Sequence, residues 1–159
     1  MVADPQPIWE LGLGGGLLVA SVLLHGIGMW AVQHTFLLAW PHEPDARVRR
    51  QLLFGGLIAM MLATHLAQMG LWAAALTAIG AVDGFREAFY FASVTYTTLG
   101  YEETKLPMQW RLVAPLMAMS GVFAFGWTTG VLVSLVTRAN QAYADDSRMR
   151  ASAGRDGSG

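Results

Sequence analysis

The chain has 159 residues, of which 54% are hydrophobic and only 13% are Asp, Glu, Lys or Arg. A soluble domain carries about 25% charged residues, so this chain has too few to clothe a globular surface in water, and lipid is the expected solvent for much of it. The formal net charge of −1 offers no basic surface to nucleic acid, and the absence of cysteine rules out disulfides and thiolate metal sites.

Residues 1–10 contain Asp4 and Glu10 but no Lys or Arg, unlike the basic opening of a signal peptide. The apolar stretch that follows is too long for a signal core and reads as a retained span. A bilayer core takes about 20 apolar residues as a helix, and residues 11–40, 51–82 and 110–136 each satisfy this. Their interiors hold no ionisable residues except His25, His34 and His65. Pro115 is expected to kink the third span near its outer end, and Trp9, Trp40 and Trp110 fall at the predicted interfaces.

A fourth apolar stretch, residues 85–98, is too short to cross and reads as buried or re-entrant. Asp83 is placed to cap a short helix with an aromatic face over residues 85–94. Residues 95–101 are β-branched, hydroxylated and glycine-punctuated, which predicts an extended strand. Non-helical backbone inside a membrane survives only when buried in protein or lining a watery cavity.

Basic residues set the orientation. Arg47, Arg49 and Arg50 follow the first span, and Arg138, Arg148, Arg150 and Arg155 follow the third. The positive-inside rule puts the amino terminus outside, the short hairpin outside and the tail in the cytoplasm of a multi-pass cell-membrane protein. The tail, residues 139–159, is polar and expected to be disordered.

Thr95-Tyr96-Thr97-Thr98-Leu99-Gly100-Tyr101-Glu102-Glu103 resembles the potassium-channel signature T-x-x-T-x-G-Y-G-D at Thr95, Thr98, Gly100 and Tyr101, with Glu103 where Asp is common. Residues 88–91 look like the pore-helix run that precedes the signature, and residues 125–130 fall where an inner helix lines the cavity. The resemblance implies an all-α integral membrane fold of three transmembrane helices plus a re-entrant pore helix and filter strand, assembled as a homotetramer around one pore. It divides the chain into an additional amino-terminal span and loop (residues 1–50), a pore module (51–138) and a tail (139–159). It also implies passive conduction of monovalent cations, potassium first. Thr98, Leu99, Gly100, Tyr101 and Glu102 would form the ion-binding filter, with Glu103 at the outer mouth. The physical requirement is a shell of oxygens to replace water around the ion, which rings of backbone carbonyls supply. Glycine at position 100 permits the left-handed backbone that turns successive carbonyls to one axis.

Glu102 departs from the family pattern, which has glycine there. Either the outer end of the filter rearranges, or four carboxylates ring the outer mouth, favour cations and hold divalent ions. Potassium selectivity, mixed monovalent permeation, divalent block and a non-conducting pore are all open. Gly126 and Gly130 are candidate gating hinges, with close helix packing as the alternative, and Gly12 with Gly16 have the same small-residue spacing. His25 and His65 lie mid-span. They read as haem or metal ligands, or as neutral imidazoles hydrogen-bonded between helices or to Thr64 and Gln68. No enzyme constellation and no cofactor is expected beyond permeant cations, and the partners are lipid and further copies of the chain. The alternatives are a non-conducting or divalent-binding homologue acting as a membrane assembly scaffold, and a small bis-histidine haem protein.

Overall fold

A computed structural model describes residues 7–41, 47–101 and 105–156, with side chains described as far as residue 144. Four helices account for most of these residues: α1 (Pro7–Ala39), α2 (Arg47–Ala78), the short α3 (Phe85–Tyr96) and α4 (Val113–Asp156), with a single 3-10 turn at Met108–Trp110 before α4. There is no β-strand among the described residues. The helices starting at Pro7 and Arg47, and the stretch Met108–Ala144, are long and apolar enough to cross a membrane.

The first helix turns several polar side chains inward and many apolar ones outward, the reverse of a helix in a soluble protein. The buried face of α1 carries Glu10, Gly14, Ser21, His25, Met29, Val32 and Phe36, one stripe at helical spacing. Its exposed face carries Ile8, Val19, Leu23, Ile27, Trp30 and Leu37. Apolar side chains turned outward and polar ones turned inward suit a helix in lipid, where an unpaired polar group has no water to bond.

The first helix is not peripheral. It packs along both α2 and α4, which touch each other only weakly without it. Near its start, the Glu10 carboxylate accepts the Leu112 N–H at 2.9 Å, placing negative charge at the N-terminus of α4. Midway, Gly26 lies under the Trp127 ring. Near its end, Trp40 meets Tyr143 edge-on, with ring centroids 6.2 Å apart. Thus α1 runs parallel to α4. Arg50, at the start of α2, is buried. Its guanidinium lies 4.4 Å from the Tyr143 ring and donates to the Pro41 carbonyl at 3.2 Å, closing the far end of the bundle. Glu10→Ala is expected to lower stability by about 1 kcal/mol, the usual value of a capping oxygen, and Glu10→Gln by less. Thermal unfolding in detergent measures both.

Four expectations need correction. Thr95 and Tyr96 belong to α3, not to a strand. Hydroxyls in this turn bond back four residues (Ser93 to the Phe89 carbonyl and Thr97 to the Ser93 carbonyl, each 2.7 Å), so residues of low propensity stay within the helical ladder. Asp83 is not the cap of α3, because the cap residue is Gly84, at φ 81°, with no side-chain bond. The tail is helical to Asp156. Residues 139–153 contain neither Gly nor Pro, and a helix already nucleated extends at little cost through such a sequence. Pro115 falls in the first turn of α4, where its missing N–H removes no intrahelical bond, so the reason for a kink is gone.

Candidate functional site

The segment resembling a filter begins where α3 ends. The Leu99 N–H bonds the Val94 carbonyl at 2.9 Å, and the Thr98 N–H bonds the Thr95 carbonyl at 3.0 Å. These two bonds form a Schellman ending, which requires a left-handed residue at its hinge. Here that residue is Thr98, at φ 59°, the one non-glycine residue with positive φ among those described. The contrast with α2 is informative. That helix ends on the same pair of bonds, Ala81 to Leu76 and Gly80 to Thr77, but its left-handed position is Gly80, at φ 66°. A β-branched residue in this region is an outlier costing about 1–2 kcal/mol. Such strain persists where the surroundings enforce it, and it clusters at functional sites.

Gly100 is also left-handed, at φ 73°, so the sign of φ alternates over Thr98, Leu99 and Gly100. All residues from Thr97 to Tyr101 are exposed in the single chain, Leu99 by 57% and Tyr101 by 66%. Among the described residues, no donor bonds the carbonyls of Thr98, Leu99 or Gly100. Behind this segment lies a cavity of about 280 Å³, lined by Phe91, Val94, Thr98, Tyr101 and Pro115 among others. Glu102 and Glu103 lie outside the described residues.

Two contacts seat the end of α3. The Tyr96 carbonyl rests on Gly121 of α4, so close that a Cβ at Gly121 would overlap it. The Tyr96 hydroxyl reaches His65 Nδ1 at 3.0 Å, near the middle of the 32-residue α2. Sequence reasoning missed Gly121. It singled out Gly126 and Gly130, where a Cβ would meet nothing within 4 Å, as it would at Gly12 and Gly16. Packing inside the chain therefore does not explain these four glycines. The glycines at which a Cβ would collide are Gly14, Gly28 and Gly121, with Gly26 tight against Trp127, and no spacing rule distinguishes them.

His25 and His65 do come together, with ring centroids 5.2 Å apart. Gln68 bonds His25 Nδ1 at 2.9 Å, and Thr128 lies 3.3 Å from His25 Nε2 and 3.0 Å from His65 Nε2. Every ring nitrogen thus has a side-chain partner, as the hydrogen-bonded alternative expects. The interhelical partners are Gln68, as expected, and Thr128 and Tyr96, which sequence reasoning did not name. The clue was available: Glu10, Ser21 and His25 lie on one stripe of an otherwise apolar helix.

Residues 60–138 match the family described as "Ion channel". The chain carries an ion-channel domain. The matched segment runs from the middle of α2 through α3 and the exposed turn into α4, and it places the chain in the pore-loop superfamily that residues 95–101 resemble. No curated protein and no solved structure matches the chain. With three helices able to cross a bilayer, this ion-channel protein is a multi-pass membrane protein.

Proposed function

We propose that this protein is a homotetrameric cation channel, potassium first among its permeant ions, with Thr98, Leu99, Gly100 and Tyr101 forming the filter and Glu102 and Glu103 its outer end. The observation that carries this is the exposed turn after α3. Its backbone lies beside transmembrane helices, it bears exposed Leu99 and Tyr101 side chains, and its carbonyls accept no bond from the described residues. A membrane tolerates such backbone only against protein or around a water-filled path. Further copies around a shared axis supply the first, and hydrated cations the second. Alternating signs of φ turn consecutive carbonyls toward one side, as an ion-coordinating column needs. The C-terminal end of α3 adds partial negative charge beside them. In this assembly α2, α3 and α4 form the pore module and α1 its buttress. The amino terminus and the filter face outward, and the arginine-bearing start of α2 and end of α4 face the cytoplasm. Gly126 and Gly130 then lie on the open face of α4, free to serve as hinges or to pack against a neighbouring copy.

Potassium, sodium and calcium flux through the purified protein in liposomes tests this. Potassium flux is expected. Silence toward all three cations would favour a scaffold, and calcium flux or block would favour a carboxylate ring. Glu102→Gly restores the family residue and is expected to raise the potassium-to-sodium permeability ratio several-fold. An unaltered ratio would mean that Glu102 does not shape selectivity.

A further inference from the structure

One continuous chain of side-chain hydrogen bonds, buried except at the half-buried Thr128, crosses all four helices. The Gln68 amide nitrogen lies 3.3 Å from the Thr64 carbonyl, which can only accept, while Ser21 donates to Gln68 Oε1 at 2.9 Å. The amide is thereby oriented, and its NH2 donates to His25 Nδ1. Neutral His25 then carries its proton on Nε2 and donates it to Thr128 Oγ1. Thr128 Oγ1 is bonded in turn to His65 Nε2 at 3.0 Å, and His65 Nδ1 to the Tyr96 hydroxyl at 3.0 Å, with the donor in each set by the His65 tautomer. From Ser21 to Thr128 each bond sets the donor of the next. Ser21, His25 and Gln68 are wholly buried, so no water substitutes for any of these three.

The chain ends at a consequential place. Tyr96 is the last residue of α3, its side chain is fully buried, its backbone carbonyl rests on Gly121, and Thr98 follows two residues later. We infer that His25, on the first transmembrane helix, is a positioning residue for the filter, acting through Thr128 and His65 on Tyr96. The first span is then a working part of the permeation pathway, although it lies outside the matched segment. This rests on the filter assignment proposed above.

The test is a double-mutant cycle on the potassium-to-sodium permeability ratio of the full-length protein in liposomes, using His25→Leu and Tyr96→Phe. Each single variant is expected to shift the ratio by about five-fold, the scale of one hydrogen bond per subunit, and the double variant by no more than either alone. His25→Gln, whose amide can replace the Nε2 donor, should restore the ratio. If His25→Leu fails to fold, Thr128→Val interrupts the chain one step further on and takes its place. Shifts that multiply in the double variant, or variants that lower only thermal stability while the ratio stays fixed, would reduce the chain to a passive brace and overturn the inference. Gly100→Asp separates the two levels. If it still conducts, the filter assignment falls and this inference with it, whereas if it is silent and the cycle multiplies, only this inference falls.

Discussion

Replacing Gly100 with aspartate is expected to reduce cation flux to background while leaving the assembly intact. At φ 73° the backbone is left-handed, and a Cβ would meet nothing within 4 Å in the chain, so the single subunit accommodates the change. The damage arises in the proposed tetramer. Four carboxylates would crowd one narrow axis, repelling one another and binding the cations that should pass. Aspartate tolerates left-handed backbone better than most residues, so strain alone cannot account for a lost current. Gly80→Asp supplies the control: Gly80 has nearly the same φ, 66°, and equally open surroundings, but it ends α2 instead of α3. Liposome flux should survive Gly80→Asp and vanish in Gly100→Asp. Equal flux in the two proteins would remove the filter assignment.

Gly121→Ala is expected to produce the largest loss of stability of any single methyl group added to this chain. The atom in the way is the Tyr96 backbone carbonyl oxygen, which cannot rotate aside as a side chain can. Either the last turn of α3 withdraws or α4 bends, and both disturb the Tyr96–His65 bond and the strained Thr98 that follows. Overpacking of a close-packed interior typically costs about 1–3 kcal/mol and more where backbone meets backbone, so the upper end of that range is expected here. Thermal unfolding in detergent should show a large drop for Gly121→Ala and little change for Gly126→Ala, whose Cβ would point into open space. Comparable melting of the two variants would show that α3 is not seated on α4 by this contact.

The spans were legible because the signal is local. Twenty or more apolar residues without charge can be read from a window of sequence, and the helices starting at Pro7, Arg47 and Val113 appear within a few residues of the expected boundaries, apart from the extension to Asp156. The short segment between the second and third long helices was legible for the same reason, and its motif led to the family that residues 60–138 match. Strand propensity failed at Thr95 and Tyr96 because their hydrogen bonds continue the helix. The left-handed residue at Thr98 had no signature, since threonine is a poor choice there by every local rule.

Sequence by itself determined that the chain lives in lipid, where its helices cross, and which superfamily its hairpin belongs to, because bilayer thickness and a short signature act on contiguous residues. Only the tertiary structure decided that the first helix wedges between α2 and α4, that His25 and His65 share one hydrogen-bonded chain, and that Gly121 instead of Gly126 or Gly130 is the crowded glycine. Those facts depend on which helix face turns inward. That choice is made by pairs such as His25 and Thr128, 103 residues apart, whose mutual attraction leaves no trace in any local window.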